Sequence, residues 1–211
     1  MKAIGLATYG GPDVLNWFDL PDPHAGPGQV RIRVRAASVN PVDAMLREGL
    51  LAVAYEGPDP PYIPGLEVAG TIDETGDDVD GITVGEEVVG FVDNFAQHGG
   101  YSQYVVLPAA SVIRKPAGTT FAQAASFLNN ALTARNALDT LNLQPGATLL
   151  VTGAAGAVGG YLAQLGTAEG LRIVAVAAAS ARRCPTGSMG SPTRRCCTRP
   201  SSPSGVTAGR S

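Results

Sequence analysis

The chain has 211 residues, of which 45% are hydrophobic and 16% charged, a globular composition that excludes an intrinsically disordered protein. Its net charge of −3 conceals a division: residues 1–181 hold all 18 acidic residues against 9 basic ones, while the last thirty carry +6 and all three cysteines, Cys184, Cys196 and Cys197. No apolar run approaches the roughly 20 residues of a membrane-spanning helix, and the first ten residues lack a secretory signal pattern, so a cytoplasmic location without membrane contact is expected.

Lys2 to Ala7 and Val14 to Leu20 read as a hairpin around Gly10-Gly11-Pro12-Asp13. Gln29 to Ala37 alternates strictly, with Val30, Ile32, Val34 and Ala36 on one face and Arg31, Arg33 and Arg35 on the other. The arginine row reads as a solvated strand face rather than a nucleic-acid patch, since no aromatic residue interleaves it for base stacking. Ser38 to Asp43 breaks the strand, Val42 to Glu48 suits a short helix, and residues 49–64 form a loop rich in proline and glycine. Gly65 to Glu74, Gly85 to Val92 and Ser102 to Leu107 are further strands. Short strands with glycine turns predict a barrel-like β domain up to about Pro116. Thr120 to Leu141 reads as one helix with Ala124, Ala125, Leu128, Leu132 and Leu138 as its apolar positions.

The most informative stretch runs from Leu149 to Ala177. Leu149, Leu150 and Val151 form an apolar run without alternation, as in a strand buried on both faces. Gly153, Gly156 and Gly159 follow at three-residue spacing. The first allows a tight turn, the second lets backbone approach a pyrophosphate, and the third lets a helix pack closely on the sheet. Val158, Leu162 and Leu165 line one side of that helix, Gly170 ends it, and Leu171 to Ala177 is the next strand. A glycine triplet alone would equally suit a flexible loop. With a strand before it and a helix and strand after it, it predicts a dinucleotide site. Gly153, Ala154, Ala155, Gly156, Ala157, Val158 and Gly159 form the turn, and the helix N-terminus receives the phosphates.

Five motifs occur in one order: SVNPVD at Ser38 to Asp43, PGLEVAG at Pro64 to Gly70, HGGYSQYVVLP at His98 to Pro108, NNALTA at Asn129 to Ala134 and VTGAAGAVG at Val151 to Gly159. This arrangement resembles the medium-chain dehydrogenase/reductase family. The resemblance implies an α/β protein. Residues 1–118 would be a GroES-like β-barrel catalytic domain, and 119–180 the first part of a Rossmann NADP-binding domain with a parallel sheet. Zinc-dependent members place a histidine in the triplet that here reads Gly65-Leu66-Glu67, and a cysteine near Ser38 to Asn40; no cysteine precedes Cys184. With neither a catalytic nor a structural zinc site to assemble, the chain resembles the zinc-independent quinone oxidoreductases. These use NADPH and a small-molecule quinone or enone, bind no nucleic acid, and form homodimers when full-length.

Without a metal, charge developing on the acceptor oxygen must be met by hydrogen bonds or a proton. Asn40 is one candidate, its amide serving the acceptor or the nicotinamide; capping the turn before Pro41 is its other reading. Tyr55 is a candidate donor to the acceptor, or plain loop packing. Thr133 lies in the segment that contacts the nicotinamide in the resembling family. Asp43 suits a helix cap, Glu67 a structural role and His98 a loop position. An acidic residue about 20 residues past the glycine turn would select NAD. Ala177, Ala178, Ala179 and Ser180 stand there instead, which favours NADP, with Arg182 and Arg183 available for a 2′-phosphate.

From Ala181 the composition changes: there is no leucine, isoleucine, aromatic, lysine or acidic residue and no period. Residues 181–211 read as an irregular, disordered basic tail of the kind a frameshifted gene end produces, or as a basic arm for anions. A zinc knuckle fails on ligand count. Two parallel strands and one crossover helix before such a tail would leave Leu149 to Val151 and Ile173 to Val176 facing water. A poorly soluble or partly unfolded chain with negligible reductase activity is then expected.

Overall fold

The computed structural model describes residues 1–54 and 59–177. The chain divides into two compact units, Met1–Asn142 and Leu143–Ser211, the second described up to residue 177. The expected irregular tail at 181–211 lies outside the described residues.

In the first unit, β1 (Lys2–Gly5) and β2 (Asn16–Asp19) pair antiparallel in the predicted hairpin. Five strands then form one antiparallel sheet: β3 (Gln29–Ala37), β4 (Glu67–Thr75), β5 (Glu87–Phe91), β6 (Tyr104–Pro108) and β7 (Val112–Arg114), in the order β6-β3-β4-β5-β7. The sequence reading has no counterpart of β7. With three residues, of which only Val112 is buried, it is too short to show a period.

Val30, Ile32, Val68, Ile72, Val88 and Leu107 build the core on one face of this sheet. Each contributes on the order of 1.5–3 kcal/mol by burial. Ala69 and Val89 point the other way and pack with Ala124, Ala125 and Leu128. Strand β4 is therefore buried on both faces from Glu67 to Gly70, which explains why that segment lacks alternation.

The strict alternation expected for β3 fails at its end. The register with β4 shifts between Val34 and Ala36. Arg35 becomes the extra residue of a bulge, so Val34 and Ala37 meet one core cluster and Ala36 the other. The arginine row also departs from a solvated face. Arg31 is mostly buried, paired with Asp73 at 3.0 Å and Glu74 at 2.6 Å, with its guanidinium 5.0 Å from the Tyr104 ring centre. Exposed Arg33 and Arg35 lie over Tyr104 and Phe121 at 5.7 and 5.4 Å. These aromatics come from distant sequence, which is why the row looked bare.

Helix α1 (Pro41–Arg47) follows β3 as predicted. The single helix expected from Thr120 to Leu141 is two: α2 (Phe121–Ala124) and α3 (Leu128–Leu141). Thr120 caps α2, its hydroxyl accepting the Gln123 N–H at 3.2 Å while the Gln123 side chain accepts the Thr120 N–H at 2.9 Å. Leu132, expected to be apolar lining, is 44% exposed. After the break the helical face is set by Leu128, Ala134 and Leu138.

In the second unit, β8 (Thr148–Thr152) and β9 (Arg172–Val176) pair in parallel with α4 (Ala157–Ala168) as the crossover. The predicted strand, glycine turn, helix and strand are all present. Val151 is buried, but Leu150 is 60% exposed and Val174 and Val176 are 47% and 48% exposed, so these strands are not buried on both faces and instead face water in part, as expected of two strands alone. Among the described residues this sheet has two strands. In α4 the buried positions are Gly159 and Gly166, seven apart on the face against the strands, while Val158, Leu162 and Leu165 are half-buried.

Candidate functional site

The predicted site residues fall into two groups, one in each unit. In the first unit, Ser38, Asn40 and Asp43 lie where β3 gives way to α1. Asn40 is the N-cap of α1 and is buried at 6% exposure. Its backbone N–H donates to Asp43 Oδ2 at 2.7 Å, as the capping reading of Asp43 predicts. Its side-chain amide donates to Ser38 Oγ at 2.9 Å and toward Glu67 Oε1 at 3.5 Å. The amide is thus held in an internal network.

Glu67 closes that network. It is 0% exposed, at the start of β4, accepting the Ser38 hydroxyl on Oε1 at 2.7 Å and the Asn129 backbone N–H on Oε2 at 2.7 Å. Asn129 lies in the first turn of α3, where free N–H groups and the helix dipole favour a carboxylate. Thr133, one turn further on, is exposed and donates its hydroxyl to the Asn129 carbonyl at 2.8 Å.

Asp43 is the centre of a second cluster. Besides Asn40 it accepts the Gly65 N–H at 2.8 Å and the Tyr101 hydroxyl at 3.2 Å. Burial raises its carboxyl above the usual carboxylate range, against the opposing effect of those three donors. Burial also pushes the Tyr101 phenol up, and the facing Asp43 adds to the shift. An open surface depression of about 440 Å³ borders Tyr101, with Ile4, Trp17, Val34 and Val39 in its wall; among the described residues neither Asn40 nor Thr133 lines it. His98 is half-buried, and burial depresses its imidazole pKa. Tyr55 lies outside the described residues.

In the second unit the glycine turn joins β8 to α4, with the Ala154 N–H donating to the Val176 carbonyl at 3.1 Å. Gly153 has φ +65° and Gly156 is the N-cap of α4. Gly156 N–H closes the turn on the Gly153 carbonyl at 2.8 Å. A side chain at Gly159 would run into the Gly153 carbonyl and the Ala154 backbone, so the helix sits against the turn. The N–H groups of Ala157, Val158 and Gly159 precede the first intrahelical bond of α4, which runs from Gly160 N to Gly156 O at 2.9 Å. These donors suit a pyrophosphate.

Reasoning along the sequence missed the pairing of Glu67 with Asn129 and of Asp43 with Tyr101. Each joins residues far apart in the chain. The one available signal was that all four lie within the five recognised motifs. Among the described residues no group of three or more His, Cys, Asp or Glu side chains could hold a metal ion.

Comparison with known proteins shows the family of the chain. Residues 26–117 match the alcohol dehydrogenase GroES-like domain. The chain is 34% identical over 166 residues to the human synaptic vesicle membrane protein VAT-1 homolog-like, covering 78% of this chain and 38% of that protein. It is 35% identical over 174 residues to the Pseudomonas aeruginosa quinone oxidoreductase, covering 82% of this chain and 51% of that one. The native structure of mycobacterial Rv1454c complexed with NADPH superimposes with a TM-score of 0.74 at 33% identity, over 86% of this chain and 54% of that one. The chain spans about half the length, or less, of the curated relatives it matches. On its motifs, its fold and these matches, the chain belongs to the medium-chain dehydrogenase/reductase family of oxidoreductases.

Proposed function

We propose that this chain serves an NADPH-dependent reductase, delivering a hydride to a quinone or a related enone or carbonyl acceptor without zinc. The observation that carries this reading is the turn from Gly153 to Gly159, with its glycine N-cap and free helix N–H groups. NADPH, when bound, supplies the hydride. This chain's residues would hold and orient it: the backbone of Gly153, Ala154, Ala155, Gly156, Ala157, Val158 and Gly159 toward the pyrophosphate, Asn40 and Thr133 toward the nicotinamide. Asn40 and Tyr55 are the proposed hydrogen-bond donors to the acceptor. In this reading residues 1–118 are the substrate side and 119–180 the cofactor side, and the acceptor is a small molecule.

NADP is preferred over NAD because Ala177, not an acidic residue, follows β9. Arg182 and Arg183, the proposed 2′-phosphate partners, lie outside the described residues. The zinc-free reading rests on the donor set, with Leu66 beside Glu67 and no cysteine before Cys184. The test is titration of the purified chain with NADPH and NADH by fluorescence, alongside metal analysis. Tighter NADPH binding and no stoichiometric zinc are expected. Equal or absent binding, or one zinc per chain that survives chelation, would overturn the reading.

A second reading is a nucleotide-binding protein without turnover. It is favoured by the internal use of the Asn40 amide, which donates to Ser38 and Glu67. Saturable NADPH binding with no consumption of NADPH in the presence of quinones would select it.

A further inference from the structure

We propose that Glu67 is a positioning residue for the nicotinamide end of the site, one buried carboxylate that fixes Asn40 and joins it to the start of α3. The inference rests on the proposed role of Asn40 and adds what holds it. Glu67 Oε1 takes the Ser38 hydroxyl at 2.7 Å, and Ser38 Oγ in turn accepts the Asn40 amide at 2.9 Å. Glu67 Oε2 takes the Asn129 N–H at 2.7 Å. The carbonyl of Asn129 accepts the Thr133 hydroxyl at 2.8 Å. One side chain at the start of β4 thereby sets the rotamer of Asn40 on the β3–α1 junction and ties the first turn of α3 to it; the Thr133 hydroxyl bond to the Asn129 carbonyl is the back-bond that Thr140 and Thr167 also make within their helices.

The donor set favours an acid with two free oxygens at this point. Both oxygens face donors, a hydroxyl and a peptide N–H, so both must accept. A glutamine of the same size would keep its oxygen on the Asn129 N–H, which can only donate, and so would set its NH₂ beside the Ser38 hydroxyl and the Asn40 amide; Ser38 would have to turn its proton away, and the Asn40 nitrogen would face a donor where Oε1 now stands. The site is fully buried, so water cannot make up the lost bond. The helix N-terminus at Asn129 favours a negative group there. Ser38 acts as a relay: its hydroxyl has one proton, which goes to Glu67, and so it can only accept from Asn40. That orients the Asn40 amide with nitrogen inward and places its carbonyl on the other side.

The test uses the full chain and its Glu67→Gln and Ser38→Ala variants, titrated with NADPH and with adenosine 2′,5′-bisphosphate, which has no nicotinamide. Glu67→Gln is expected to weaken NADPH by roughly tenfold and leave the bisphosphate within about twofold, the effect of losing one charge-assisted hydrogen bond. Ser38→Ala should produce a smaller loss in the same ratio. In ¹⁵N-resolved NMR spectra without ligand, the Asn129 amide should move in Glu67→Gln and stay in place in Ser38→Ala, whereas the Asn40 side-chain amide should move in both. Parallel loss of both ligands would make Glu67 a general structural residue and overturn the proposal, as would retention of NADPH affinity in both variants. If Glu67→Gln does not fold, the NADPH-to-bisphosphate ratio of Ser38→Ala decides. Failure of the unsubstituted chain to bind NADPH at all would instead defeat the dinucleotide reading, and the positioning role with it.

Discussion

Glu67 accepts the backbone N–H of Asn129 at 2.7 Å, so a strand and a helix start 62 positions apart in the chain share one buried carboxylate. This relationship sits at the break between α2 and α3. Helix propensity alone runs through Thr120 to Leu141, since no proline or glycine interrupts it. A second helix start at Leu128 exposes a new set of free N–H groups, and Glu67 meets one of them. The break also lets Leu128 join Ala69 and Val89 under the sheet.

The Asp43 cluster should be a strong local source of stability. Asp43 accepts three donors at low exposure, two of them backbone N–H groups, those of Asn40 and Gly65. Asp43→Asn turns one acceptor oxygen into a donor and is expected to cost about 2–3 kcal/mol, and Tyr101→Phe about 1 kcal/mol. Urea denaturation of both variants and of the double variant measures the pair, and the two losses should add to more than the double variant loses. Strict additivity would show that the hydroxyl and carboxylate do not interact.

The three turn glycines should separate binding from folding. At Gly156 an added Cβ would lie 3.2 Å from the Gly153 carbonyl with ordinary φ, a contact that a small shift relieves. At Gly159 it would run into the turn itself. Gly156→Val should therefore weaken NADPH and NADH together by at least roughly tenfold with the fold kept, because the pyrophosphate is blocked. Gly159→Val should lower thermal stability of the chain by overpacking, about 1–3 kcal/mol. Calorimetry beside dinucleotide titration distinguishes them; unchanged binding in Gly156→Val would remove the turn from the site.

His98 should make the protein less stable in acid. Burial depresses its pKa below the ordinary 6.5, so the folded state holds fewer protons than the unfolded state between the folded pKa and 6.5. Its contribution is complete above pH 6.5 and is lost as pH falls through the folded value. His98→Gln should flatten that part of the melting-temperature profile. The same slope in variant and parent would assign it to other groups.

Asn94 should be dispensable for stability. It is 0% exposed, and neither polar atom of its side chain has a partner among the described residues. Such burial costs roughly 1–3 kcal/mol. Asn94→Leu, of similar shape, is expected to raise stability by about 1 kcal/mol in urea denaturation. A loss of stability would reveal a partner for the amide.

Local pattern carried most of the elements, and the resemblance of the five motifs supplied the fold they belong to. The hairpin, β3, α1, β4 to β6 and the β8-α4-β9 unit all follow from spacing of apolar residues and from glycine turns, because each depends on neighbours along the chain. The glycine spacing at 153, 156 and 159 likewise announced a strand-to-helix turn with free N–H groups, a local geometry. What local pattern could not supply were contacts between distant elements. Tyr104 across from Arg33, the bulge at Arg35 and the split of α2 from α3 are set by partners distant in the chain. Tertiary structure also decided that Glu67 joins Asn40 to Asn129. Hydrogen bonds between residues dozens of positions apart form only once the backbone has brought them together, and no spacing in the sequence encodes that distance.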